Sequence, residues 1–201
     1  MLRTTPIAVL LLACTGEPTP TRPEAFVFPA NTADAVSNYA AIVEATYADT
    51  LAGAKALDAA VGAFVAAPSD TTLADARDAW RASRVPYLQT EVFRFYEGPI
   101  DDPETGPEGL LNAWPLDEHY IDYVEGDPDT GIVNGTEPLD GATLEALNEV
   151  GGEKNIATGY HAVEFLLWGQ DHSDTGPGDR PYTDYVTDGS GTAANQQRRA
   201  D

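Results

Sequence analysis

The stretch from Thr32 to Ala67 repeats apolar residues at the three- and four-residue spacing of a helix. It is rich in alanine and free of proline, so the pattern predicts one long amphipathic helix. Pro68-Ser69-Asp70 ends this helix and caps another, which is predicted to run to about Phe95. The expected buried stripe of this second helix is Leu73, Ala76, Trp80, Tyr87, Leu88, Val92 and Phe95. The short connection makes the two helices antiparallel neighbours.

The pattern after the second helix is less regular. Residues 97–113, 126–142 and 169–191 combine glycine, proline and acidic side chains without a period, which predicts ordered loops. A short helix is expected to open at Trp114-Pro115, with Pro115 in its first turn, and another is expected from Leu144 to Val150. A further helix carries an apolar face and an adjacent polar one, and its apolar face is formed by Ile156, Tyr160, Val163 and Leu167.

The chain closes with a predicted helix that Thr192 caps. Because that helix stops within its first turns at Asp201, we expect the 201 residues to be a fragment of a longer protein. No segment has a clear strand pattern. The fold class predicted is therefore all-α, a helical bundle with long ordered loops.

Charge narrows the classes of partner. The chain has 11 basic and 33 acidic side chains, a formal charge of -22, which argues against binding nucleic acid or anionic lipid headgroups. Hydrophobic residues make up 42% of the chain, enough for a folded core. Most of the carboxylates form a solvated surface on this interpretation, while some are available to bind a hard cation.

The N-terminus has the pattern of an export signal. Arg3 precedes an apolar run from Ile7 to Ala13 that is too short to span a bilayer. Leu11-Leu12-Ala13-Cys14 resembles a bacterial lipobox, and Cys14 is the only cysteine. We predict a signal peptide at 1–13, a lipidated Cys14 with a flexible tether at 14–31, and a folded domain at 32–201. The alternative is an ordinary secretory signal with an incidental cysteine.

Candidate chemistry lies on the polar faces of the predicted helices. His161 and Glu164 are three positions apart, so a helix projects both from one face. Arg84 and Glu91 share a face of the second helix, where a salt bridge between helices is the competing interpretation. Asp117 is explained equally well as a helix cap. The coincidence of His161, Glu164 and Glu91 in one bundle favours a metal site, because bundle interiors build such sites from inward-facing His and Glu.

The same residues bear on catalysis. A zincin requires His-Glu-x-x-His, and the inverted motif requires a second histidine where this chain has Phe165. A hydrolytic zinc site needs about three protein ligands and an open water position. One histidine with carboxylates suits a harder ion such as iron. Metal binding is therefore favoured over proteolysis.

Several motifs in order resemble the imelysin family. Residues 159–164 match its Gly-x-His-x-x-Glu signature, and similar segments occur at 91–95, 98–101, 112–117 and 167–171. The resemblance covers about residues 32–201. It implies an envelope protein of two helical-bundle halves associated with iron-regulated uptake, with its site where the halves meet. Only the first half would be present here. Family members are often called metallopeptidases.

The leading hypothesis is a lipid-anchored iron-binding protein of the bacterial envelope, with an envelope iron-transport partner. The metal, divalent or ferric, is expected to be iron rather than zinc. Its candidate ligands are His161, Glu164, Glu91 and, as a fourth, Asp117. The side chains expected to orient these ligands or a bound molecule are Arg84, Trp114 and Tyr160. One alternative is a metallopeptidase in which Glu164 or Glu91 activates a metal-bound water. The other is a non-catalytic interaction module whose polar core is structural.

Overall fold

A computed structural model describes residues 26–201, so the predicted signal peptide, Cys14 and most of the tether lie outside the described range. Within that range the regular structure is helical and contains no β-strand, which confirms the all-α class. The α-helices are α1 (Thr32–Ala66), α2 (Asp70–Gln89), α3 (Glu108–Asn112), α4 (Glu118–Ile121), α5 (Gly141–Leu147), α6 (Gly159–Trp168) and α7 (Gln196–Ala200). Short 3₁₀ helices occupy Thr90–Phe93, Ile132–Asn134 and Tyr182–Tyr185. None of the helices in residues 26–201 is long and apolar enough to cross a bilayer.

Helices α1 and α2 form the predicted antiparallel pair. Ser69 caps α2 reciprocally: its Oγ accepts a hydrogen bond from the Thr72 N–H, and Thr72 Oγ1 accepts one from the Ser69 N–H. The two helices approach closely at Gly53, where an added Cβ would lie 3.2 Å from the Cα of Ser83. At the closed end of the hairpin Phe64, 1% exposed, packs in the main core. The buried members of that core are Phe64, Leu73, Ala76, Leu167, Trp168 and Tyr185.

The end of α2 differs from the prediction. The α-helix stops at Gln89 and continues as the 3₁₀ helix Thr90–Phe93. A 3₁₀ helix has 3.0 residues per turn instead of 3.6, so it turns the following side chains onto another face. Phe93 is buried between Tyr39 and Tyr47, with ring centroids 5.6 and 6.5 Å away. Val92 and Phe95, predicted to be buried, are exposed after this change. Leu88, also wrongly predicted to be buried, is exposed within α2 itself.

Helix α6 lies at the centre of the fold and packs against both α2 and α3. The indole Nε1 of Trp80 donates a hydrogen bond to the Tyr160 carbonyl at 2.9 Å, and Thr158 Oγ1 donates one to the Leu110 carbonyl at 2.9 Å. Gly159 has φ 86°, and an added Cβ would lie 2.6 Å from the Leu111 oxygen. Only glycine fits this turn, because it is both left-handed and in contact with α3. The first residue of the Gly-x-His-x-x-Glu motif therefore sets the position of α6.

The smaller helices depart from the prediction in four places. Helix α4 begins at Glu118, with Asp117 as its N-cap, so Pro115 lies outside it. Helix α3 lies within the segment 97–113, which is predicted to be a loop. Its apolar pattern is short and is flanked or interrupted by Pro107 and Gly109, which are typical of loops. Helix α5 begins after Asp140, whose carboxylate accepts a hydrogen bond from the Thr143 N–H at 2.8 Å. Thr192 does not cap α7, which begins at Gln196.

A buried ionic cluster connects the second half of the described chain. Asp122 is fully buried and accepts hydrogen bonds from Arg180 Nη1 at 2.6 Å and from Arg199 Nε at 2.6 Å. Tyr123 donates a hydrogen bond to a second buried carboxylate, Asp184, at 2.5 Å. Burial alone would raise the pKa of Asp122, but the hydrogen bond from Arg199 and the charges of both arginines outweigh it and hold that pKa below its usual range. The cluster joins α4, the 169–185 segment and α7.

Candidate metal site

His161 and Glu164 lie together on the polar face of α6, as predicted. Nδ1 of His161 is 2.8 Å from Oε2 of Glu164, and the two side chains are 16% and 40% exposed. A neutral imidazole that donates Nδ1–H to the carboxylate has its free lone pair on Nε2. Nε2 has no hydrogen-bond partner among the described residues and is not sealed from solvent. The carboxylate of Glu164 therefore orients the His161 ring and leaves Nε2 available to coordinate a metal ion.

A cavity of about 410 Å³ opens in front of this pair. All three tryptophans of the chain line it: Trp80, Trp114 and Trp168. The Trp114 ring contacts the His161 ring at a tilt of 54°, with centroids 4.8 Å apart, and Trp114 itself is 66% exposed. The other lining residues include the carboxylates Glu118, Glu164 and Asp171, the guanidinium of Arg81, and the apolar side chains Leu116, Phe165 and Pro177.

Part of the cavity wall is formed by residues 169–180, a loop that is hydrogen-bonded to α6 and α2. The Arg180 N–H donates a hydrogen bond to the Trp168 carbonyl at 2.8 Å. Arg77 Nη2 donates to both the Leu167 and the Arg180 carbonyls at 2.9 Å. These bonds close residues 169–180 into a loop, and Pro177 and Gly178 of that loop line the cavity. The buried ionic cluster thus fixes the cavity wall through Arg180.

Glu91 is not brought to this pair. It lies in the 3₁₀ helix after α2 and is exposed. Within residues 26–201 no group of three His, Cys, Asp or Glu side chains is arranged to hold a metal ion. The expected set of His161, Glu164 and Glu91 is therefore not assembled there. An unbroken α2 would place Glu91 on the face of Arg84, and Arg84 does not line the cavity either.

Asp117 serves as a helix cap. Its side chain accepts a hydrogen bond from the His119 N–H at 3.1 Å, and its own N–H donates to the Lys154 carbonyl at 2.7 Å. Asp117 is exposed and does not line the cavity. The neighbouring carboxylate of Glu118 lines it instead, and accepts a hydrogen bond from Gln170 Nε2 at 2.8 Å.

Arg84 and Tyr160 lie behind the site. Arg84 Nη1 donates a hydrogen bond to Asn112 Oδ1 at 2.6 Å, and its guanidinium lies 4.9 Å from the Tyr160 ring centroid. Among the described residues Arg84 forms no ion pair, so the alternative salt bridge with Glu91 does not form either. Tyr160 is buried against Trp80 and the α1–α2 pair. Both residues position α6 and do not face the cavity.

Most of the cavity wall is not predicted from the sequence. Trp80 is predicted to belong to the core, and Trp168 has no predicted role. Glu118 and Asp171 were not singled out as ligands. One feature of the sequence could have indicated this wall: all three tryptophans lie in the segments that carry the candidate site residues.

These features define an all-α protein whose central helix presents a carboxylate-paired histidine to a tryptophan-lined cavity. The imelysin family model (peptidase M75) matches residues 43–201, and the chain belongs to that family. Iron-regulated protein A of Synechococcus elongatus is 30% identical over 127 residues, which are 63% of this chain and 29% of that protein. The chain therefore matches less than a third of this relative's length.

Proposed function

We propose that this chain is an imelysin-type iron-binding protein of the bacterial envelope and that His161 contacts the iron. The observation that carries the proposal is the 2.8 Å contact between His161 Nδ1 and Glu164 Oε2 at the cavity. It leaves Nε2 free to bind a metal ion. The name of the iron-regulated relative supports iron as the metal.

The imidazole and carboxylate groups at the cavity suit an iron ion. A carboxylate that accepts Nδ1–H orients the ring and makes Nε2 a better ligand, so Glu164 acts on the metal through His161. Glu118 and Asp171 line the same cavity and add negative charge that attracts a cation. Imidazole and carboxylate oxygen both suit iron.

The envelope location rests on the N-terminal sequence. The apolar run from Ile7 to Ala13 followed by the lone Cys14 fits a lipoprotein signal, and residues 15–31 fit a tether. On this proposal the lipid is the sole membrane contact, and the protein passes iron to a transport partner in the envelope. Cys14→Ser should release the protein from the membrane fraction.

Proteolysis has no specific support in the cavity. The inverted zincin motif needs a second histidine at position 165, where Phe165 is 4% exposed and packs in the core. The family name carries the peptidase possibility, but no contact among the described residues favours it.

The experiment is an anaerobic Fe(II) titration of the chain, followed by tryptophan fluorescence because all three tryptophans line the cavity. His161→Ala should abolish saturable quenching, and Glu164→Gln should weaken binding by about 10–100-fold. His172→Ala is the matched control, because His172 is exposed and does not line this cavity. Equal affinity in wild type, His161→Ala and Glu164→Gln would refute the proposal.

A further inference from the structure

We propose that the cavity beside α6 also binds a quaternary ammonium group, held between the indole of Trp114 and the carboxylates of Glu118 and Glu164, and that this binding needs no metal ion. The inference goes beyond iron binding and does not depend on it. It rests on the indole rings of the cavity, the charge of its lining, the hydrogen bonds of its carboxylates and its volume.

The indole rings around the cavity already attract cationic side chains of the protein. The Arg81 guanidinium lies 5.1 Å from the ring centroid of Trp168, and the Arg84 guanidinium lies 5.7 Å from that of Trp80. A cation within about 6 Å of an aromatic ring is attracted to its face, and indole attracts it most strongly. Trp114 is 66% exposed, and among the described residues no arginine or lysine lies over its ring. Its ring is therefore available to a cation that comes from outside the chain.

The charge of the lining also favours a cation. The carboxylates of Glu118, Glu164 and Asp171 line the cavity together with one basic side chain, Arg81. The guanidinium of Arg81 is paired with Asp78 at 2.8 Å, so its charge is largely compensated. A cleft lined mainly by charge of one sign concentrates ions of the opposite sign. The cavity therefore attracts cationic ligands and repels anionic ones.

The carboxylates favour a cation that donates no hydrogen bonds. Oε2 of Glu164 is 2.8 Å from Nδ1 of His161, and Oε2 of Glu118 accepts a hydrogen bond from Gln170 Nε2 at 2.8 Å. One oxygen of each carboxylate is thus engaged, while both groups keep their negative charge. A primary ammonium has three N–H donors that each need an acceptor when it leaves water. A quaternary ammonium has none, so it gains from the charge of the carboxylates without leaving a donor unsatisfied.

The size and the apolar surface of the cavity suit such a group. The cavity measures about 410 Å³, and pockets for small organic ligands span about 300–1,000 Å³. Leu116, Phe165 and Pro177 line it together with the indole rings. The methyl groups of a quaternary ammonium bury apolar surface against these walls. Aromatic rings combined with carboxylates are the surroundings in which proteins recognise quaternary ammonium groups.

The test is an NMR titration of the isotopically labelled full chain with tetramethylammonium chloride in metal-free buffer. The indole N–H signals of the three tryptophans report binding, because all three rings line the cavity. Methylammonium chloride and sodium chloride are the comparison salts at equal ionic strength. We expect saturable shifts with tetramethylammonium, about fivefold weaker binding of methylammonium and no saturation with sodium.

Four variants locate the site. Trp114→Ala should weaken tetramethylammonium binding about five- to tenfold at the two remaining indole signals, and Trp114→Phe should weaken it less because it keeps an aromatic face. Glu118→Gln removes charge with little change of shape and should weaken binding about two- to threefold, whereas Arg81→Gln removes a positive charge and should tighten it. Phe95→Ala is the matched control, because Phe95 is an exposed aromatic residue that does not line the cavity.

The outcomes separate this inference from the proposed function. Unsaturable shifts, equal binding of the wild type and Trp114→Ala, or weaker binding in Arg81→Gln would overturn the ammonium site. Methylammonium binding as tightly as tetramethylammonium would refute the quaternary class. Each of these results leaves the iron proposal to its own titration with His161→Ala. If Fe(II) does not bind while tetramethylammonium binds and depends on Trp114, the iron proposal is wrong and the ammonium site stands.

Discussion

The carboxylate of Asp122 has no exposure to solvent and holds two buried arginines. It accepts hydrogen bonds from Arg180 Nη1 at 2.6 Å, from Arg199 Nε at 2.6 Å and Nη2 at 3.0 Å, and from Asn134 Nδ2 at 3.2 Å. Asp122→Asn preserves the shape of the side chain but removes its charge. Arg180 then retains one buried counter-charge nearby, Asp184, at 3.5 Å.

Removing one partner from a buried ion pair leaves an uncompensated charge and costs about 3–5 kcal/mol. We expect that loss in Asp122→Asn, because both Arg180 and Arg199 are buried and cannot turn toward water. The variant should also loosen the cavity wall, since Arg180 ties the 169–180 loop to Trp168. On the proposed function, the affinity for iron should therefore fall along with stability.

Urea unfolding followed by circular dichroism measures the loss, with Asp49→Asn as an exposed, unpaired control expected to change stability by less than ~0.5 kcal/mol. The dependence of the free energy of unfolding on pH in the acid range gives a second measurement. The pKa of Asp122 is lowered in the folded state, so its contribution is full above the unfolded-state pKa and is lost as pH falls through the folded value. The variant should lose that dependence. A destabilisation below ~1 kcal/mol would refute this account of the cluster.

Three further outcomes follow from the same structure. Ser69→Ala should cost about 1 kcal/mol in urea unfolding, because it removes the cap on the Thr72 N–H; a change below ~0.3 kcal/mol would contradict the cap. Phe64→Ala should cost about 3–5 kcal/mol by the same assay, since the ring is 1% exposed in the main core; near-wild-type stability would show that the core repacks. Burial and the hydrogen bond to Asp184 raise the pKa of Tyr123 to about 12, so stability should fall as pH rises from the ordinary tyrosine value toward 12. The stability of Tyr123→Phe should change less with pH over that interval. The same loss of stability with rising pH in the variant and the wild type would contradict the raised pKa of Tyr123.

Local patterns determined the parts of the fold that depend on neighbouring residues. The periodicity of α1, α2 and α6 predicted these helices because burial of one face repeats every three to four residues. The His161–Glu164 contact was predictable for the same reason, since positions three apart meet on any helix. The ordered motifs also indicated the family that the model match over 43–201 confirms.

The change from an α-helix to a 3₁₀ helix at the end of α2 was not predictable from this periodicity. Residues 90–93 continue the apolar pattern, and only the packing of Phe93 between Tyr39 and Tyr47 favours a 3₁₀ turn there. Contacts with α1, more than 40 positions earlier, decided the helix type of this segment. Glu91 is exposed there and does not line the cavity.

Thus the sequence by itself determined the all-α class, the main helices and the paired histidine on α6. Tertiary structure decided the surroundings of that pair, because they come from segments distant in the chain. Trp80, Trp114 and Trp168 meet around one cavity, and Asp122 is bound by Arg180 and Arg199, which lie 58 and 77 positions away. A buried charge needs partners wherever the fold brings them, and no local pattern specifies which distant residues those are.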